Sequence, residues 1–340
     1  MESIANKFGV SQIKLKTFHN THCDLKDLIG GNELPKHLKE ILLKEEWKVE
    51  ERLELSNITT NLIDFENSVK YRTEQFNTTK IEEDVKSYSH LKKEYDVSYA
   101  LKKKILKVKM VDFFYEFNPP ALSKIFDFTS VIDYIRNNCT IQIDDLGRFK
   151  KIVNKEEQKE NWDNLKISDL QEIEFIKVIR ETKPDEYNKL LTQGDFQFSS
   201  KYDDKRDYDR DLFYLTILDK YLFFDNLPEE KYTYQSQLFP TLEVPMKVRY
   251  DILKTEGNQV TIRKVMETLM SEGLLKELEN KYNEYHKPLI KYKFSSYKLD
   301  IRNKFTYNIE NRVLESAELA IIENIENNLK SECFFNVKKV

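Results

Sequence analysis

Glycine is scarce in this chain, with 7 residues in 340, and there are only 8 prolines and 3 cysteines. So little glycine disfavours glycine-rich nucleotide-binding folds and many-turned β sandwiches, and it favours long helices. Neither G-x-x-x-x-G-K-[ST] nor G-x-G-x-x-G occurs, so no glycine-rich loop is available to cradle phosphates. A G-x-S-x-G nucleophile elbow is missing too. Cys23, Cys139 and Cys333 are odd in number and far apart. They make neither a disulfide framework nor a zinc spacing, and they suit an intracellular location, cytoplasmic or nuclear. No run approaches ~18 consecutive apolar residues. The N-terminus has no basic-then-apolar leader, so neither membrane spanning nor secretion is expected.

What the chain does have is aromatic bulk and charge. Twenty-one Phe and 19 Tyr can fill a core without much Ala or Gly, and a 34% charged fraction implies a heavily solvated surface. The length allows two or three domains. A net charge of −4 is too small to name a partner, but its distribution is uneven. From Pro245 to Phe305 there are 13 Lys and Arg against 8 Asp and Glu, a net of +5 that leaves −9 for the rest. A basic module on an acidic body suggests a polyanion partner for that part alone.

In chain order, residues 1–31 read as short strand or irregular structure, and 36–55 as a helix after Pro35. His19, His22 and Cys23 form at most half a metal site, with no second ligand pair, and no metal or other cofactor is expected. Residues 56–80 suit strands and turns, and 80–109 a charged helix. The apolar stretch 105–139, broken at Pro119-Pro120, marks the heart of the larger domain, with a helix through Leu122, Ile125, Phe128 and Ile135. Asp144 to Gly147 reads as a turn and 155–164 as an exposed loop or helix end. Ser168 with Gln171 matches a capping box for a helix that stops before Pro184. The acidic stretch 196–211 reads as an exposed loop or linker, and 212–224 as a buried helix or two short strands. Residues 308–329 show a mostly apolar helical stripe.

The stretch 259–302 carries the most specific pattern. Ile262, Val265, Met266, Leu269 and Met270 fall at the spacing of one helical face, with Thr261 as cap and Gly273 as the terminating residue. Ile290, Tyr292 and Phe294 then alternate with Lys291 and Lys293, and Tyr297, Leu299 and Ile301 with Lys298, Asp300 and Arg302. With a short helix at about 246–255 and a turn at Gly257-Asn258, the segment resembles the helix–turn–helix and wing of winged-helix DNA-binding domains. The resemblance implies a recognition helix pointing Arg263, Lys264, Glu267 and Thr268 at a groove. It implies a wing whose Lys281, Lys287, Lys291, Lys293 and Lys298 meet phosphates.

These readings lead to an α+β, helix-dominated fold. A mixed body spans 1–205, and a C-terminal domain spans 206–340, built on a winged-helix-like unit at 245–302 and a terminal helix. The function expected is non-catalytic DNA binding. The alternative is an assembly subunit or adaptor that binds a protein partner or a second copy of itself. A third reading, a Mg²⁺-dependent enzyme, would use Asp203, Asp204, Asp207, Asp209 and Asp211, but Lys205, Arg206 and Arg210 are interleaved with them as on a solvated loop.

Overall fold

Alternation with period two, more than helical spacing, organises the chain beyond residue 65. The computed structural model describes residues 4–5, 10, 12–23, 29, 34, 38, 40–43, 65–145, 147–219, 230–239 and 241–340. They belong to two compact units, 1–61 and 62–340. In the first unit, α1 (Gln12–His22) is a helix where strand or irregular structure is expected. His19 is buried there and its Nδ1 accepts the Leu42 amide at 3.1 Å. The helix expected at 36–55 lies outside the described residues, save for isolated positions.

The second unit is built on one antiparallel sheet. Its strands are β1 (Asn67–Ile81), β2 (Asp84–Ala100), β3 (Ile105–Asn118), β4 (Asn138–Ile143), β5 (Phe149–Ile152) and β6 (Glu230–Gln235). They continue with β7 (Glu243–Glu256), β8 (Gln259–Thr268), β9 (Tyr297–Asn308), β10 (Val313–Ile325) and β11 (Leu329–Lys339). The order is β5-β4-β3-β2-β1-β11-β10-β9-β8-β7-β6, eleven strands among the described residues. Two meanders therefore meet where β1 pairs with β11, from Tyr71↔Lys339 to Ile81↔Leu329. Tight turns join β1 to β2, β7 to β8, β9 to β10 and β10 to β11, and Gly257 adopts φ +55° in the β7–β8 turn.

This sheet corrects the helix-dominated fold. Residues 84–100, 246–255, 261–268 and 313–325, all read as helix, are strands. Along β8, Val260, Ile262 and Met266 are buried while Gln259, Arg263 and Glu267 are exposed, which is the two-residue pleat of a one-sided strand. Gly273 does not end a helix. It sits in the first turn of α8 (Glu272–Tyr285), whose N-cap Ser271 accepts from the Leu274 amide at 3.2 Å. The supposed return strand of the wing is instead α9 (Lys287–Ile290) and an irregular stretch. No recognition helix and no wing exist among the described residues, so the winged-helix resemblance fails.

The sheet is rolled. Strands lie about 4.8 Å apart, so β5 and β6, at opposite ends of the order, would stand about 48 Å apart if it were flat. Yet Phe149 of β5 and Tyr232 of β6 line one hollow. Five register shifts, including Glu94/Tyr95 and Leu314/Ser316, add local twist.

A helical lobe separates the meanders. Its elements are α2 (Ala121–Arg136), α3 (Lys155–Ile167), α4 (Glu174–Thr182) and α5 (Pro184–Gln197). Residues 155–164, read as exposed, carry the fully buried Trp162. Ser168 caps nothing and donates to the Asn164 carbonyl instead. The break at Pro119-Pro120, the turn at Asp144–Gly147 and the helix end before Pro184 stand where expected. Trp162, Leu165, Leu170, Ile176 and Phe198 form the lobe's core.

Gly194 sits inside α5, where glycine ordinarily weakens a helix, because a Cβ there would overlap the Trp162 ring. Gly194→Ala should destabilise the chain by about 1–3 kcal/mol through overpacking, read as a lower denaturation midpoint by tryptophan fluorescence. Gly273→Ala, where only Ser271 Oγ comes near, should leave the midpoint unchanged or raise it.

Candidate functional site

A rolled one-sided sheet turns its apolar face inward, and that face must be covered. The cover is a strap across residues 203–219, containing α6 (Lys205–Tyr208) and α7 (Leu212–Ile217). Asp211 starts α7 by accepting the Phe213 amide at 2.9 Å, and Arg136 holds Asp211 at 3.3 Å. The Phe213 ring then stacks on Tyr95 at 3.9 Å and meets Tyr71 edge-on at 6.1 Å. Tyr208 stacks on Phe149 and donates to the Arg136 carbonyl at 2.8 Å. Thus 203–211 is not a loose loop. Asp204 pairs with Lys155 at 2.6 Å, Asp209 with Lys205 at 2.7 Å, and Asp207 accepts from Tyr202 at 2.9 Å.

Beneath the strap the inner face forms a trough of three hollows, and Arg210 lines all of them. The central hollow has a volume of about 290 Å³. Leu212 and Leu215 of α7 roof it, and Met266, Ile301, Phe305, Leu319 and Ile321 of β8–β10 floor it. Asn303 and Tyr234 also line it and are only 5% and 8% exposed. Neither Asn303 Oδ1 nor the Tyr234 hydroxyl has a hydrogen-bond partner among the described residues. Leaving such a group buried and unpaired costs about 1–3 kcal/mol, which a partner entering the hollow would recover at each atom.

Two ionisable groups at this face are matched. Lys264, on the inner side of β8, reaches Asp219 at 3.0 Å and lies over the Tyr250 ring at 5.4 Å. Burial opposes the charge on Lys264, but the Asp219 carboxylate outweighs it and holds the ammonium above its usual range. Glu323, fully buried on β10, accepts from Ser236 Oγ at 2.5 Å, the Gln237 amide at 2.7 Å, the Leu238 amide at 3.3 Å and Tyr297 at 3.0 Å. These bonds fasten the loop after β6, whose Ser236 and Gln237 form one wall of the central hollow.

The residues read as a DNA contact do not share a helix and wing. Arg263 lies on the outer face of β8, held by Asp251 at 2.8 Å, while Lys264 points the opposite way. Thr268 ends β8 and bonds Met246 Sδ at 3.6 Å. Lys281 on α8 donates to Thr241 at 2.7 Å, and Lys287 begins α9. Lys291 takes a left-handed backbone at φ +65°, Lys293 follows in the irregular stretch, and Lys298 on β9 pairs with Asp300 at 2.8 Å. DNA binding therefore loses the fold that was to carry it. Nothing in the earlier pattern singled out Asn303, Tyr234, Asp219 or Glu323.

No protein-family model matches the chain, and no curated protein matches it either. Among solved structures it is similar to one titled "lipid-protein interactions in lipovitellin", at a TM-score of 0.37 and 8% identity. The match covers 82% of this chain and spans 25% of that one, a likeness too remote to carry an inference. Among the described residues no helix is long and apolar enough to cross a membrane.

Glu323 gives the trough wall a pH signature. Burial raises its carboxyl above the ordinary 4.5, against the pull of its four donors. The folded chain then holds this proton more tightly than the unfolded chain. Its contribution to stability is full below pH 4.5 and is lost as pH rises through the raised folded value. Denaturation midpoints measured across that window should show this falling component in the native chain. The Glu323→Gln variant should lack it, and identical slopes would refute the assignment.

Proposed function

We propose that this protein is a non-catalytic binder of a small amphipathic molecule, held in the trough beneath the strap. The observation that carries this reading is the pair of buried, partnerless polar groups, Asn303 Oδ1 and Tyr234 Oη, set in an otherwise apolar wall. Small-molecule sites commonly combine such a wall with a few polar groups that orient the ligand. A reducing compartment suits it: Cys139 and Cys333 are unpaired, and burial pushes their thiols up to about 11 and about 12. The test is titration with 2-naphthol, a neutral fluorescent ring of fitting size. Saturable binding of one probe per chain is expected, weakened at least ~10-fold, about 1.4 kcal/mol, by Leu215→Trp, which fills the hollow from its roof. Unsaturable binding, or equal binding by that variant, would sink the reading.

A protein-contact role is favoured by a second feature. On the outer face, Phe76, Phe114 and Phe334 are 40%, 52% and 42% exposed around His90, which stacks on Phe76 at 3.8 Å. Phe76 also faces Phe334 across the β1–β11 junction. Exposed aromatics in one patch suit an assembly surface, including a homodimer. Sedimentation at rising concentration should show self-association that Phe334→Ser abolishes, and a monomer at all concentrations would count against the homodimer.

A further inference from the structure

The chemistry of the hollow narrows the ligand that the preceding reading requires. Two cations border the central hollow, Lys264 and Arg210, and both already have partners. Lys264 is held by Asp219 at 3.0 Å, and Arg210 donates to Gln235 Oε1 at 2.6 Å with Glu243 at 3.6 Å. An incoming carboxylate or phosphate would have to displace those acceptors or sit beside the Asp219 carboxylate. Either option discards electrostatic energy that is largest where water is excluded. Anionic amphiphiles are therefore poorly served.

The two atoms without partners among the described residues are neutral: Asn303 Oδ1 accepts, and the Tyr234 hydroxyl donates and accepts. A ligand hydroxyl, which also does both, can donate to Asn303 Oδ1 and accept from Tyr234. An ether or ketone only accepts, so it leaves Asn303 Oδ1 unpaired. At the ~30 Å³ that a water molecule occupies in the liquid, the hollow of about 290 Å³ has room for roughly ten heavy atoms.

We infer that the trough selects a neutral aliphatic alcohol, with its hydroxyl against Asn303 and Tyr234 and its chain along Ile301, Leu319 and Leu215. This inference rests on the amphipathic-ligand reading above and deepens it.

Displacement of 2-naphthol from the full chain distinguishes the two. Octan-1-ol should compete at least ~10-fold better than octanoate, the anion of the same length, and than 1-methoxyheptane, an ether of similar size. Asn303→Leu, which removes the acceptor that only a hydroxyl can satisfy, should weaken octan-1-ol by about tenfold while leaving the ether unchanged, and Tyr234→Phe, which removes a donor open to both, should weaken the alcohol and the ether alike. Asn303→Leu should fold at least as stably as the native chain, since it deletes an unpaired buried group. If octanoate competes as well as the alcohol, or the ether does, the alcohol assignment is overturned while the trough remains a ligand site. If neither variant shifts the alcohol, the assignment is likewise overturned. If 2-naphthol itself does not bind, the reading beneath it falls.

Discussion

The larger unit answers to one constraint: a single rolled sheet has an apolar inner face and, among the described residues, no second sheet covers it. In a two-sheet sandwich the inner faces bury each other. Here the β1–β11 junction fuses two meanders into one surface, and the covering falls to short elements laid across it. The strap does this from β5 to β2, with Phe213 on Tyr95 and Tyr208 on Phe149, and over β8–β10 with Leu212 and Leu215. The helix α8 does it beside β6 and β7, burying Leu274, Leu278 and Tyr282 with Val244 and Met246. A six-residue helix such as α7 cannot blanket a curved floor, and the trough is the space it leaves.

The misreading of this sheet has a definite cause. Inward positions of a strand recur at every second residue, so they also recur at every fourth, which is a helical spacing. Ile262 and Met266 belong to both patterns, as do Ala317, Ile321 and Ile325. What separated them was composition and turns. Val260, Thr261, Ile262, Val265 and Thr268 are β-branched in a ten-residue stretch, and Gly257-Asn258 precedes it as a hairpin turn. Scarce glycine was no argument for helices, because other tight turns use non-glycine residues in the left-handed region: Glu82, Arg312 and Asn327. The helix over 121–136, the break before it and the strand at 297–302 were legible, though the same alternation over 290–294 and the same apolar spacing over 308–329 led to the wrong element.

The site was hidden behind the same error. Once 297–308 is read to its end as a strand, its inward row is Tyr297, Leu299, Ile301, Asn303, Phe305, Tyr307, with one amide among apolar residues. The inward row of β8 is broken by Lys264 in the same way, and that of β10 by Glu323. These interruptions were visible in the chain and carried no meaning under a helical period. Tyr234 and Asp219 were not legible at all, because their roles depend on where the rolled sheet brings the strap and β6.

How the fold treats the three interruptions separates scaffold from site. Glu323 receives four hydrogen bonds and thereby fixes a loop. Lys264 is balanced by Asp219 and so ties the end of the strap to β8. Both are buried ionisable groups that the chain supplies with partners; Asp219 outweighs burial at Lys264, whereas at Glu323 burial still outweighs the four donors and raises the carboxyl. Of the three, Asn303 alone keeps an atom, Oδ1, without a partner among the described residues, although a leucine there would have completed the apolar row at no polar cost. The proposed guest is uncharged for that reason: the fold supplies partners to its two buried ionisable groups and leaves the Asn303 Oδ1 acceptor open beside them.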